Sequence, residues 1–205
     1  MNAWVVAAVL GALQGLLEWL PVSSEGAVAI ARSALGAGPA VATRYALFLH
    51  AGTALAAAAF YRAELRHLLA RLPDWRPRGA LADESADLTF FAIATLVSAV
   101  VGISGYLALS EIADAAAGGV FVAAIGVLLL GTGVFMRVAE ERATGHRDAP
   151  GLLDALLVGV LQGVAVLPGV SRSGTTVSAL LLRGHDGPAA LRLSFVLSIP
   201  AAAGA

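Results

Sequence analysis

Apolar residues along this chain do not alternate with polar ones; they come in long runs broken at a few points. Residues 88–109 and 115–136 each run 22 positions without a charge, and residues 45–61 run 17, closed by Arg44 and Arg62. A membrane-crossing helix takes about 20 mostly apolar residues, so these three runs predict transmembrane helices. Two further runs are interrupted. Residues 3–17 meet Glu18 and Pro21 and turn apolar again only from Gly26. Residues 155–170 break at Pro168-Gly169 and at the polar Ser171, Arg172 and Ser173, then resume over 175–182. Each half is too short to cross alone, so each pair predicts a re-entrant helix–loop–helix hairpin that enters and leaves on one face. Non-helical backbone at membrane depth survives only where protein or a wet cavity surrounds it. The first run lacks the basic leader of a signal peptide.

Composition agrees with a polytopic membrane protein. The chain is 59% hydrophobic and 13% charged, with a mean hydropathy of +0.83, against about 25% charged residues in soluble domains. A net charge of −1 offers no field for nucleic-acid phosphates, so no nucleic-acid partner is expected. The absence of cysteine removes disulfides, a thiolate nucleophile and a cysteine zinc site. All 13 basic residues are arginine. Arg62, Arg66, Arg71, Arg76 and Arg78 fall in the expected loop 62–87, and Arg137, Arg142 and Arg147 in the expected loop 137–150, whereas the connection 110–114 has acidic residues and no arginine. The positive-inside rule then assigns both Arg-rich loops to the cytoplasm and 110–114 to the outside. Small residues at Gly52, Gly102, Gly105, Gly131 and Gly133 are expected to let helices approach closely.

The chain also repeats itself. Residues 10–26 read LGALQGLLEWLPVSSEG and residues 158–174 read VGVLQGVAVLPGVSRSG. Gly11, Leu13, Gln14 and Gly15 match Gly159, Leu161, Gln162 and Gly163 at an offset of 148, which returns for Val22, Ser23 and Gly26 after a one-residue slip. Three predicted crossings, an odd number, separate the copies. They therefore enter from opposite faces, the first from outside and the second from inside. That is an inverted-topology repeat, whose functional site usually lies near the midplane where the broken elements meet. The expected architecture is one integral membrane domain over 1–205, with repeat one over about 1–148 and repeat two over 149–205. Its last apolar run, 193–205, is 13 residues long, and the repeat logic expects the chain to continue beyond it.

Ionisable groups inside such segments are costly and mark function by default. Gln14 and Glu18 stand at i and i+4 and share a helix face just before the first break. Ser23, Ser24 and Glu25 form the first tip; Ser171, Arg172, Ser173, Gly174, Thr175 and Thr176 form the second; His50 lies within the first full span. The tips are chemically unlike: Arg172 stands opposite Ser24 in the repeat, and Val166 opposite Glu18. If they meet, a carboxylate and hydroxyls face an arginine, hydroxyls and a helix N-terminus. An arginine fork with hydroxyls and backbone N–H groups suits a phosphate oxyanion. A nearby carboxylate can hold a hard divalent cation or take a proton from a nucleophile. The same residues admit structural roles: Ser23 and Ser24 as helix caps, Glu18 with Arg172 as a locking ion pair, His50 as a hydrogen-bonded interior residue, and Glu25 facing water.

QGLLEWLPVSSEG at residues 14–26 and LPGVSRSGTT at 167–176 resemble the two signature motifs of the undecaprenyl-diphosphate phosphatase family, also called bacitracin-resistance proteins. SFVLSIPAAAGA at 194–205 resembles that family's next helix, so the likeness covers essentially the whole chain. The resemblance implies an integral membrane hydrolase that removes the terminal phosphate from a polyprenyl diphosphate and recycles the lipid carrier for cell-wall biogenesis. It implies a divalent cation, Mg²⁺ or Ca²⁺, and a site between two re-entrant hairpins facing the outer side of the cell membrane. Carried over, Glu18 falls on the essential carboxylate, which is also a candidate metal ligand. Ser24 falls on the nucleophile, with a cation-bound water as its rival. Arg172, Ser171 and Ser173 fall on the phosphate-binding motif. Gln14, Ser23, Gly174 and Thr175 join the expected phosphate ligands.

Two positions depart from the family pattern. Gln14 stands where the family often has glutamate, and Ala27 where many members carry a histidine, so Glu25 (also a candidate metal ligand) or His50 is left as the substitute acid or base. Expected partners are the bilayer, a polyprenyl diphosphate and, as a candidate, a second copy forming a homodimer. A transporter or flippase for a polyprenyl phosphate is the alternative that uses the same inverted repeat. A structural membrane subunit, whose tips only lock the fold, is a third.

Overall fold

The computed structural model describes residues 2–76, 80–81, 83–115, 118–145, 147 and 149–204, with backbone alone for 83–84 and 110–115. Among these residues the regular structure is entirely helical. Helices α1 (Ala3–Leu17) and α2 (Ser24–Ala34) form the first broken pair, and α3 (Pro39–Phe60) and α4 (Arg62–Arg71) follow. The long α5 (Asp83–Ala115) and α6 (Gly118–Arg142) lead to the second broken pair, α7 (Leu152–Val164) and α8 (Arg172–Leu182), and then to α9 (Gly187–Ala203).

Among the described residues, two helices are long and apolar enough to cross a membrane: α6, and α5 over Ser85–Leu109. Of their most apolar 18 residues, 22% in α5 and 17% in α6 is buried, whereas the core helix of a soluble protein hides most of its apolar face. Leu96, Val100, Ile103, Val127, Leu130 and Val134 stand exposed along them. That much exposed apolar surface needs a lipid or protein cover.

Helix boundaries differ from those expected. The third predicted span is a 22-residue helix that begins at Pro39 and so takes in Arg44 as well as His50, and it is not one of the two helices above. The expected loop 62–87 carries α4 and a short 3₁₀ turn, Leu72–Asp74. The expected connection 110–114 is helical, because α5 runs to Ala115. Arg137 and Arg142 ride on α6 rather than in a loop. Arg78 and residues 116–117, where the second long span was expected to begin, lie outside the described residues. Of the small residues expected at close helix contacts, Gly102 faces Gly163 and Gly105 faces Val166, but Gly52, Gly131 and Gly133 look onto open space.

The two broken pairs share local geometry at the offset read in the sequence. Ser23 and Ser171 both cap the second helix of their pair with extended backbone, accepting N–H groups of Gly26 at 3.0 Å and Gly174 at 3.1 Å. Each second helix ends at a left-handed glycine, Gly36 at φ 89° and Gly184 at φ 91°. In both, the residue after that glycine donates its N–H back into the last turn, Ala37 to Arg32 at 3.1 Å and His185 to Leu180 at 3.0 Å. This is the 6→1 bond that closes a helix C-terminus. The caps of α3 and α9, Gly38 and Asp186, keep the same spacing.

The core lies where α5, α7, α8 and α9 meet, around Phe90, Val158, Leu180, Leu193 and Leu197. A smaller cluster of Ala29, Ala42, Phe121 and Ile125 seats α6 against the first pair. At the base of the second pair, the fully buried Asp154 accepts the Gly151 N–H at 2.7 Å and Arg183 Nε at 2.6 Å. Arg147 Nη1 lies 3.3 Å and His185 Nε2 3.5 Å from the same carboxylate. Asp154→Ala is expected to cost about 2–3 kcal/mol. That is less than a fully buried pair, because Arg183 and Arg147 reach water. A lower thermal midpoint in detergent, with α8 the first helix to exchange amide hydrogens, is the measurement.

Candidate functional site

Both helix breaks follow from local chemistry. Helix α1 ends with Glu18 as its C-cap, its N–H still bonded to the Gln14 carbonyl at 2.9 Å, and Pro21 keeps it from continuing. A serine then starts the next helix, because its hydroxyl satisfies an otherwise orphaned N–H. Ser24 and Glu25, and likewise Arg172, Ser173 and Gly174, therefore lie in the first turns of α2 and α8, whereas these helices were expected to begin only at Gly26 and around Thr175. The second break works the same way through Pro168, Gly169 and Ser171.

The two breaks touch. The Gly169 N–H donates to Ser23 Oγ at 3.1 Å, and Ser173 Oγ donates to the Leu20 carbonyl at 3.0 Å. Gly169 has φ 105°, and a Cβ there would lie 2.6 Å from the Ile125 carbonyl of α6, so only glycine passes at this point. Between the breaks sits Glu18, buried and surrounded by donors. Its Oε1 takes Arg172 Nη2 at 2.5 Å. Its Oε2 takes Ser24 Oγ at 2.7 Å and Gln14 Nε2 at 2.8 Å, with His50 Nε2 at 3.4 Å.

A pocket opens beside this carboxylate, with about 260 Å³ of empty space counting its mouth. Glu18, Ser23, Ser24, Glu25, His50, Arg172 and Ser173 line it, together with Val22, Ala165 and Val170. Gln14, Ser171, Gly174 and Thr175, also expected among the phosphate ligands, stand behind the wall. Gln14 braces Glu18, the Gly174 N–H is given to Ser171 Oγ, and Thr175 Oγ1 turns back to the Ser171 and Arg172 carbonyls. Thr176 pairs with Ser194 of α9 at 2.7 Å. Gln162, the repeat partner of Gln14, instead donates to Ser98 Oγ on α5 at 3.2 Å, so one copy's glutamine serves the pocket and the other serves packing.

Two pocket residues hold buried atoms without a partner, Arg172 Nη1 and Glu25 Oε1. Unmade hydrogen bonds in a buried setting are costly, and these two atoms have opposite needs. The guanidinium, anchored through Nη2, still has a donor for an anion. The carboxylate oxygen has no hydrogen-bond donor among the described residues. Among the described residues no three His, Cys, Asp or Glu gather as a ready metal cage. The oxygen set of Glu25, Glu18 and Ser24 is of the hard type that Mg²⁺ and Ca²⁺ take, with water or substrate oxygens completing the shell.

Sequence reasoning missed the three ties behind this geometry: Gly169 to Ser23, Ser173 to Leu20 and Asp154 to Arg183. The first two use backbone groups, which leave no trace in a sequence pattern. The third left one signal, a lone acid directly before an apolar run.

The architecture is thus an all-helical one with two long apolar helices, built around a pocket where a carboxylate, hydroxyls and a half-committed guanidinium converge. A family model described as bacitracin resistance protein BacA matches residues 7–205, and the chain belongs to that family. It is 56% identical over 203 residues to a Haloarcula marismortui protein named undecaprenyl-diphosphatase, covering 98% of this chain and 75% of that one. Proteins of the same name from Methanopyrus kandleri and Methanococcoides burtonii are 42% and 39% identical over 204 and 197 residues. These matches cover 97% and 95% of this chain and 72% and 74% of the relatives. With its exposed apolar helices, this is a membrane protein.

Proposed function

We propose that this chain is an undecaprenyl-diphosphatase, hydrolysing the terminal phosphate of a polyprenyl diphosphate to the monophosphate and inorganic phosphate. The observation that carries the reading is Arg172, a residue of the pocket wall: one Nη is fastened to Glu18 and the other is buried and unpaired. A phosphate oxygen there gains a charge-assisted bond from a guanidinium that is already oriented.

In this reading Ser24 Oγ attacks the terminal phosphorus while Glu18 Oε2, 2.7 Å away, takes its proton. The bridging P–O bond breaks and its electron pair leaves on the polyprenyl monophosphate, whose low basicity needs little acid assistance. Glu18 then gives that proton to solvent; water attacks the phosphoserine, its proton passing to Glu18 and from there to the departing Ser24 Oγ as the P–Oγ bond breaks. Direct attack by water is the rival route. Arg172 and Ser173 hold the non-bridging oxygens, and Ser23 keeps the two breaks together. A divalent cation held by Glu25 and Glu18 would supply neutralisation of the diphosphate charge. Two re-entrant hairpins of inverted topology, a multi-pass position in the cell membrane, a pocket open to the outer side and a prenyl tail along apolar helix faces complete the picture. The support for it is the positive-inside count and the shared geometry of the broken pairs.

The deciding experiment is phosphate release from undecaprenyl diphosphate by the purified chain in detergent, with and without EDTA. Release that falls at least tenfold on chelation and returns with Mg²⁺ or Ca²⁺ is the expected result. Glu18→Gln, which keeps the shape and loses the base, is expected to slow release by about 10²–10⁴-fold. A carrier or a structural subunit would release no phosphate, and that outcome would overturn the assignment.

A further inference from the structure

We infer that α4 is an interfacial helix, lying flat at one surface of the membrane and binding anionic phospholipid headgroups through Arg62 and Arg66, a role outside the chemistry of the pocket. The segment is tied to its neighbours at both ends. Arg192 of α9 holds Glu64 at 2.5 Å with one Nη and Asp87 of α5 at 2.6 Å with the other. Beyond the helix, Trp75 Nε1 donates to Thr89 Oγ1 of α5 at 3.0 Å. The stretch of α4 from Glu64 to Arg71 is about 10 Å long at 1.5 Å per residue, and the 3₁₀ turn adds to it. On α5, however, the two ties fall on Asp87 and Thr89, about 3 Å apart along the axis. A helix lying along α5 would spread its ties over its own length, so α4 runs across α5 instead. Asp87 and Thr89 stand in the first turns of the apolar stretch Ser85–Leu109, where the hydrocarbon layer begins. A helix that crosses α5 at that level lies in the plane of the membrane surface.

Its side chains are sorted to match. Glu64 and the buried Leu68, one turn apart, face the protein. Leu65, Leu69 and Leu72 follow at i, i+4 and i+7 and make a second edge, on which Leu69 and Leu72 are 62% and 53% exposed. Arg62 and Arg66, both exposed, make the third edge, beside the leucines and away from the protein. The exposed His67 falls opposite the leucines. Leucines turned to the acyl chains, arginines out among the headgroups and His67 toward water is the order that an interfacial helix needs. Aromatic rings flank it, with Phe60 edge-on to Tyr61 at 4.9 Å before α4 and Trp75 after it; tyrosine and tryptophan favour this depth of the membrane. From Arg62 to Arg76 there are four arginines and two acids, and Glu64 is already engaged by Arg192. That surplus calls for an anionic headgroup, since a zwitterionic one brings no net charge to meet it.

Because the chain has no cysteine, one introduced thiol can report on this helix alone. Leu69→Cys, labelled with bimane, is placed as the full chain in phosphatidylcholine nanodiscs. A rising fraction of lipid brominated in the upper acyl chain is added, either phosphatidylcholine or phosphatidylglycerol. Both should quench the label, and phosphatidylglycerol should do so at a fraction lower by about fivefold or more, the factor one arginine contributes near an anionic surface. Adding Arg62→Gln and Arg66→Gln should bring the two curves together. A label at His67→Cys should respond to aqueous iodide and not to brominated lipid. Leu72→Cys repeats the measurement where Leu69→Cys elutes abnormally. Quenching at position 69 by iodide alone places the helix in water and overturns the inference; so does quenching by neither agent, which means a protein cover. Coincident curves without the arginine changes, or a preference that survives them, equally overturn it. Phosphate release is not read, so a negative result here leaves the diphosphate site standing.

Discussion

Replacing Arg172 by alanine will lower kcat/KM for phosphate release by about 10³-fold, or about 4 kcal/mol of transition-state stabilisation. The protein should still insert and elute as the wild type does. The size of the effect follows from the residue's double engagement. Nη2 holds Glu18 at 2.5 Å, and Nη1 is buried beside it without a partner. Alanine therefore removes the phosphate donor and also frees the carboxylate that orients Ser24. Arg172→Lys keeps the charge but offers one point of contact where the planar fork offers two, so it should recover only part of the loss. A defect in KM alone, with kcat intact, would mean that the arginine binds ground state and transition state equally. Phosphate release by Arg172→Ala at the wild-type rate would remove the assignment altogether.

The second large effect is expected at Gly169. Its φ of 105° and the 2.6 Å approach of any Cβ to the Ile125 carbonyl leave alanine no room without moving α6 or the break itself. Backbone strain and overpacking of this kind each cost about 1–3 kcal/mol. The Gly169 N–H bond to Ser23 at 3.1 Å lengthens when the break moves, and with it the distance between Glu18 and Arg172. Gly169→Ala should thus lower the thermal midpoint and reduce kcat by about tenfold or more, since small misplacements in a preorganised site are costly. Gly36→Ala is the control. Its φ of 89° is just as unfavourable for alanine, but a Cβ there meets nothing within 4 Å. It should lose stability alone. Equal activity losses in both variants would mean that the tie between the breaks plays no part in catalysis.

How much could be read beforehand depends on what leaves a linear trace. Glu18 and Arg172 interrupt apolar runs, and charges at such positions are expensive enough to stand out. Ser23 was legible, with Ser24, as a cap candidate and Ser171 only as a tip residue, and the helices they start were expected to begin only at Gly26 and around Thr175. Glycine and serine near a break read as loop until a cap is seen to be made. The segment after Arg62 was expected as loop because it is polar. It folds as α4, whose Ala, Leu, Glu and Arg residues favour helix, and Glu64 pairs with Arg192 of α9 at 2.5 Å, a partner 128 residues away. His50 was visible as an oddity within an apolar helix, but its orientation toward Glu18 was not.

By itself, the sequence determined the class of protein and the chemistry available to it. Run lengths settle which segments can be long apolar helices, and the motif residues supply a carboxylate, hydroxyls and a guanidinium. Both are local properties of side-chain type and spacing. Tertiary structure decided which of those residues work together. It set Glu18 between Arg172, Ser24 and His50, turned Ser171, Gly174 and Thr175 to holding the fold, and left Arg172 Nη1 and Glu25 Oε1 unpaired in the pocket. The physical reason is that each donor and acceptor satisfies itself with whatever the packing of α1, α2, α3 and α8 brings within about 3 Å. The sequence offsets of these partners, from 6 to 154 residues, carry no information about that distance.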